Sequence, residues 1–211
     1  MTPEERDART EMARLCRSLF ERGFSVGSAG NVSVRLEDGY LVTPTNCRLG
    51  DLEPDRIAKL DRDFAHLSGD RPTKEVFLHR AFLKTRPEAQ AVVHLHSTWA
   101  TALSCLVDTN PEDCVPPLTP YVVMRVGKVR LLPYVRPGDP RMGEMIHGLD
   151  GRFAAVLLAN HGPVVTGRTL FDAVAAAEEL EETAKLLVAL RGQPVRLPDE
   201  TQVTELHEVF G

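Results

Sequence analysis

Apolar Met12, Leu15, Cys16, Leu19 and Phe20 recur at steps of three and four, which predicts an amphipathic first helix. Its start is marked by Thr2, Pro3 and Glu5: a cap hydroxyl, a first-turn proline and an acid three residues after the cap. Gly23 stops it. The pattern then changes to period two. Val32 and Val34 alternate with polar neighbours, Glu37-Asp38-Gly39 supplies hairpin chemistry, and Tyr40-Leu41-Val42-Thr43 reads as the returning strand. A second strand pair is expected to flank Asp61 to Asp70, with Ser68-Gly69-Asp70 as a turn.

Thr73 to Thr85 is predicted as a helix that Arg86-Pro87 ends. Ala91 to His96 reads as a strand, and Ser97 as the cap of a helix reaching about Leu106. The proline-rich stretch from Pro111 to Pro120 is a loop; strand-like apolar stretches follow between Tyr121 and Val135. Asp139 is the expected cap of a short helix after Pro137-Gly138. Ala154 to Ala159 is a buried strand, Gly162 to Val165 continues after a break, and Thr169 with Asp172 caps a long helix ending before Gly192. The reading is one α/β domain over residues 1–211, with 193–211 as a C-terminal extension that packs on a neighbour.

Composition narrows the partners. A chain of 211 residues suits one core. The net charge of -5, with basic residues scattered, leaves no electrostatic footprint for nucleic acid. No apolar run reaches the ~20 residues that span a bilayer, and the acidic start Met1 to Asp7 is unlike a secretory signal. Cys16, Cys47, Cys105 and Cys114 form no Cys-x-x-Cys pair, so they read as reduced thiols of a cytoplasmic protein.

The candidate chemistry begins at His94-Leu95-His96. Side chains alternate along a strand, so both imidazoles emerge on one side, with backbones roughly 6.8 Å apart at the usual rise. That lets two rings converge on one ion, although a polar cross-strand face is the competing reading. His161 ends the apolar run Ala155 to Asn160 and precedes Gly162-Pro163. Alone it could be a satisfied core histidine. Three histidines at strand ends are better explained by a metal with an open coordination position.

Glu75 lies in Pro72-Thr73-Lys74-Glu75, either as a first-turn acid or as a fourth ligand and mobile base. His79, one turn later, could pair with Glu75 and is assigned to helix packing or a supporting contact. His66, His147 and His207 fall in a turn, a short helix and the tail. Gly27-Ser28-Ala29-Gly30-Asn31 offers small residues and backbone donors of the kind that cradle phosphate. Thr43-Pro44-Thr45-Asn46 and the Thr73 hydroxyl could complete an anion pocket. The dinucleotide fingerprint is absent.

Taken in order, Ser28-Ala29-Gly30-Asn31-Val32-Ser33, Thr43-Pro44-Thr45, Lys74-Glu75, His94-Leu95-His96 and Asn160-His161-Gly162 resemble the class II aldolase family, which includes fuculose-phosphate aldolase and ribulose-phosphate epimerase. The resemblance spans about residues 10 to 190. It implies a three-layer α/β/α fold with a mainly antiparallel central sheet, and a homotetramer with active sites between subunits. It carries the metal-ligand role to His94, His96 and His161, and a ligand and proton-acceptor role to Glu75. Phosphate contacts pass to Ser28, Gly30, Asn31, Thr45 and Thr73; Tyr121 matches a tyrosine presented to the neighbouring site as a proton donor, and by its pattern alone would be a core strand aromatic. Asn46 departs from the family, which usually has glycine there, and Thr73-Lys74 replaces a serine pair.

Within the family, Arg48-Leu49-Gly50, Pro72 to His79, Leu118 to Gly127 and Tyr134 to Pro140 look most like 3-oxo-tetronate 4-phosphate decarboxylases. That resemblance implies loss of CO2 from a small phosphorylated sugar acid through a metal-stabilised enediolate, giving dihydroxyacetone phosphate. Glu75 or Tyr121 would manage the protons, and Lys74, Arg125 and Arg136 are candidates for the substrate carboxylate or plain surface charges. Zinc suits the three-histidine and carboxylate set; manganese, cobalt or nickel could take it. The alternatives are a class II aldolase acting on a ketose phosphate such as fuculose 1-phosphate, a related epimerase, a non-catalytic oligomerisation module, or a zinc hydrolase, which would lack its His-Glu-x-x-His helix here.

Overall fold

Alternation along the central strands splits their side chains between two cores. Ala91, Val93 and Leu95 join one apolar cluster and Val92 joins the other. The same division separates Ala155 and Leu157 from Val156 and Leu158. The computed structural model describes residues 1–210. Its strands are β1 (Asn31–Leu36), β2 (Gly39–Val42), β3 (Ala58–Asp61), β4 (His66–Ser68), β5 (Ala91–His94), β6 (Val129–Leu132), β7 (Ala155–Leu158) and β8 (Gly162–Gly167). They form one eight-stranded sheet in the order β4-β3-β2-β1-β5-β8-β7-β6. Neighbours are antiparallel except for β6 and β7.

Helices α1 (Pro3–Glu21), α3 (Thr98–Cys105), α4 (Pro120–Arg125) and α6 (Leu170–Ala189) bury their apolar stripes in the first core, while α2 (Val76–Thr85) and α5 (Arg141–His147) cover the second. This is the expected three-layer α/β/α arrangement with a mainly antiparallel sheet. The local signals also work as read: Thr2 accepts from the Glu5 amide at 3.2 Å, and Thr169 from the Asp172 amide at 3.0 Å.

Several boundaries differ, each for a physical reason. The second helix starts at Val76 rather than Thr73: the Glu75 amide donates to the Thr73 hydroxyl at 3.3 Å in a turn ahead of it, and the Glu75 carboxylate is engaged elsewhere and caps nothing. The strand holding His94 ends at that residue, so His96 lies just beyond it. Tyr121 is helical, in a turn capped by Thr119, whose hydroxyl accepts from the Val122 amide at 3.3 Å. His66 opens β4 instead of sitting in a turn. Pro140 precedes α5, although Asp139 still accepts from the Arg141 amide at 3.1 Å.

The Ser97 hydroxyl is buried without a partner. The α3 amides of Trp99 and Ala100 are instead capped by the Glu181 carboxylate of α6, each at 2.8 Å. In the C-terminal segment, α7 (Glu200–Phe210) packs against α4 of its own chain, with Val203 and Leu206 against the first core. This segment therefore has an intramolecular seat, and Gly211 lies outside the described residues.

Candidate metal centre

Strand β5 runs between β1 and β8, and its end is pinched from both sides by glycine. A Cβ on Gly30 (φ +83) would stand 2.9 Å from the His94 carbonyl oxygen, and one on Gly162 (φ +152) 2.2 Å from that of Leu95. Only glycine allows both approaches. Asn160 takes a left-handed turn (φ 56) that swings His161 back toward the same point.

Three imidazoles meet there. The Nε2 atoms of His96 and His94 are 3.2 Å apart, and those of His161 and His96 are 3.0 Å apart. Among the described residues they form the one cluster of three or more His, Cys, Asp or Glu ligand atoms spaced closely enough to hold an ion. His94 Nδ1 lies 2.8 Å from the Pro163 carbonyl. A carbonyl can only accept, so Nδ1 carries the proton and His94 Nε2 presents a bare lone pair. Burial pushes the His94 pKa down to about 3, and burial likewise lowers those of His96 and His161.

Neutral imidazoles have too few protons to bond all three nitrogens to one another. Their separations fall close to the roughly 3.3–3.4 Å between nitrogens that share a tetrahedral zinc at ~2.05 Å. The donor set therefore fits a divalent cation. His161 Nδ1 is buried without a partner.

Glu75 stands beside the cluster. Its Oε2 is 3.6 Å from His94 Nε2 and its Oε1 3.9 Å from His161 Nε2. Burial works to raise its pKa, but His94, the Asn31 amide and His161 outweigh that and hold the carboxyl below its ordinary value. Asn31 Nδ2 donates to Glu75 Oε2 at 2.8 Å.

The small-residue segments assemble around the same end of the sheet. The Thr43 hydroxyl accepts from the Val32 amide at 3.1 Å, and the Thr73 amide donates to the Thr43 carbonyl at 3.0 Å. Pro44 and Pro72 form an isolated bridge, and the Thr45 amide donates to Arg71 at 2.9 Å. Gly30, Asn31, Thr45 and Thr73 are thus tied to neighbouring chain segments, and Ser28 is exposed on the turn before them. Asn46, at a place where glycine was expected, adopts the left-handed conformation (φ 57) that glycine would have taken.

Tyr121 is not brought to the cluster of its own chain. It is exposed and lines a surface groove with Arg22, Phe24 and Phe171. His79, expected in helix packing or a supporting contact, is fully buried and bonded to Asn31 and Ser33. The signal for that contact was present in the alternation: Val32 faces one core, so Asn31 and Ser33 face the other, where α2 lies.

The class II aldolase and adducin N-terminal domain pattern matches residues 10–188. The chain is 50% identical over 203 residues to the 3-oxo-tetronate 4-phosphate decarboxylase of Pectobacterium atrosepticum, covering 96% of this chain and 93% of that protein. Identity to the L-fuculose phosphate aldolase of Methanocaldococcus jannaschii is 36% over 176 residues, covering 83% of this chain and 93% of that protein. The crystal structure of YgbL from Klebsiella pneumoniae superposes with a TM-score of 0.93 at 48% identity, covering 98% of this chain and 99% of that one.

Proposed function

The chain belongs to the class II aldolase and adducin N-terminal domain family, and from that premise we propose that it decarboxylates 3-oxo-tetronate 4-phosphate to dihydroxyacetone phosphate and CO2. The near-full-length likeness to the Pectobacterium decarboxylase carries the choice of leaving group; the likeness to aldolases is weaker.

The residues divide the work. His94, His96 and His161, with Glu75, would hold the cation, for which zinc is the first choice and manganese, cobalt or nickel the substitutes. Bound there, a divalent ion supplies Lewis acidity toward the substrate ketone and adjacent hydroxyl and offsets the charge that departing CO2 leaves. Ser28, Gly30, Asn31, Thr45 and Thr73 frame the phosphate end. Glu75 has one oxygen committed to Asn31 and the other free to move a proton at C2. Tyr121 is exposed on a short helix, which suits a proton donor offered to the site of another subunit in a homotetramer. The four free cysteines suit a reducing, cytoplasmic setting, and no described helix is long and apolar enough to cross a membrane.

The test is incubation of zinc-loaded protein with 3-oxo-tetronate 4-phosphate and, separately, fuculose 1-phosphate. CO2 and dihydroxyacetone phosphate are expected from the first and no aldehyde from the second. Aldehyde release without CO2 would overturn the assignment.

A further inference from the structure

We infer that Ser33, His79 and Asn31 form a directed hydrogen-bond relay that positions Glu75, with His79 as its central positioning residue. The inference rests on the reading of Glu75 as ligand and proton carrier. His79 is 0% exposed, and both ring nitrogens are engaged: Nε2 lies 2.5 Å from Asn31 Oδ1 and Nδ1 lies 2.7 Å from Ser33 Oγ.

Donor and acceptor roles follow from the far end. The Glu75 carboxylate accepts, so the Asn31 amide nitrogen must face it, at 2.8 Å. That turns Oδ1 of Asn31 toward His79, which must then donate from Nε2. Its Nδ1 is left as an acceptor, and its partner there among the described residues, Ser33, has a hydroxyl proton to give. Every member therefore points its proton one way, toward the carboxylate. Reversing the Asn31 amide would set an oxygen against the carboxylate oxygen at Glu75, whichever tautomer His79 took.

The sheet places the relay. Asn31 and Ser33 are two residues apart on β1, on the face that α2 covers, and Asn31 is paired in register with His94. His79 lies one helical turn after Glu75. The relay thus links the carboxylate to the strand beside the histidine cluster. It commits the buried Asn31 side-chain amide to Glu75.

Nitrogen-15 NMR of the zinc-loaded protein reads the His79 tautomer directly, with His79→Gln assigning the signal. A single neutral Nε2–H ring is expected; an Nδ1–H or cationic ring overturns the relay. His79→Leu should lower kcat and zinc affinity by roughly 10–100-fold while KM changes little. His79→Gln, whose amide can still donate to Asn31, should recover most of both. Unchanged kcat and zinc affinity in folded His79→Leu would also overturn it. Should that variant fail to fold, Ser33→Ala removes one hydroxyl: the Nε2–H tautomer should persist while the Nδ1 resonance moves toward that of an unbonded acceptor nitrogen, and an unmoved Nδ1 resonance would overturn the relay. If the wild type makes no CO2, the proposed reaction fails, whereas tautomer and zinc affinity still decide the relay.

Discussion

Two polar clusters in this protein, each built around a buried or half-buried glutamate among nitrogen-bearing side chains, differ in how their valences are met. Near the β3 side, Arg9 on α1 donates to Glu5 at 2.8 Å and to the carbonyls of Pro54 and Ile57 at 2.9 and 2.7 Å. Lys59 on β3 donates to Glu5 at 2.9 Å and to Asp38 at 2.7 Å. Charges are paired and the donors find acceptors, so the cluster ties α1 to the sheet and needs nothing further. At the end of β5 the histidine cluster does the opposite: three ring nitrogens face one another with too few protons to bond them all, and His161 Nδ1 has no partner among the described residues. A closed cluster is a fastener, and an open one is a site.

The sharpest way to break the comparison is to remove one member from each. His96→Ala should abolish stoichiometric zinc on elemental analysis and lower kcat/KM by roughly 10³-fold, since Lewis-acid stabilisation is worth several kcal/mol. The metal-free variant should be no less stable than the metal-free wild type, because one of three ring nitrogens short of protons has been deleted. Retained zinc, or retained activity, would put the metal elsewhere.

Arg9→Met should reverse the pattern. It strands part of the Glu5 charge in a buried position, at a cost of about 3 kcal/mol in urea unfolding. Turnover should stay within roughly twofold, as distant sites are independent. A loss of activity in protein that remains folded would show the two clusters to be coupled.

How far the sequence reveals this contrast depends on the range of each contact. His94-x-His96, the Thr2 and Thr169 caps and the Glu37 to Gly39 hairpin are local, and the residues announce them. The strand-like reading between Tyr121 and Val135 holds at β6 but not over α4, where Val122 and Val123 are β-branched although Thr119-Pro120 carries the helix-start signal. The Glu181 cap on α3 joins residues about eighty positions apart, so no local pattern could reveal it. His79 is intermediate. Its helix and the strand face of Asn31 and Ser33 were each legible, but only the packing of α2 on β1 brings them together. The anion segments show the same limit, since bonds from Thr43 to Val32 and Thr73 assemble them.

The finest separation of the two regions comes from pH. His79 takes up a proton near 6.5 in the unfolded chain, but burial pushes it to about 4 when folded. Between those values the unfolded state binds more protons, so stability falls as pH drops through that window and levels off below it. His94, His96 and His161 are shifted the same way by burial. Glu5 acts lower on the scale. Burial opposes its ionisation, yet Lys59 and Arg9 hold its folded pKa beneath the ordinary 4.5. Its contribution is complete above that value and is lost as pH falls through the folded pKa. Urea unfolding of metal-free protein from neutral to acid pH should therefore lose stability first through the histidines and then through Glu5, Glu75 and the last of His94, each proton contributing at most about 1.4 kcal/mol per pH unit. His79→Gln should flatten the stage above pH 4.5, and Glu5→Gln only the stage below it. If both variants flatten the same stage, the fastener and the site are one electrostatic unit, and the distinction between them fails.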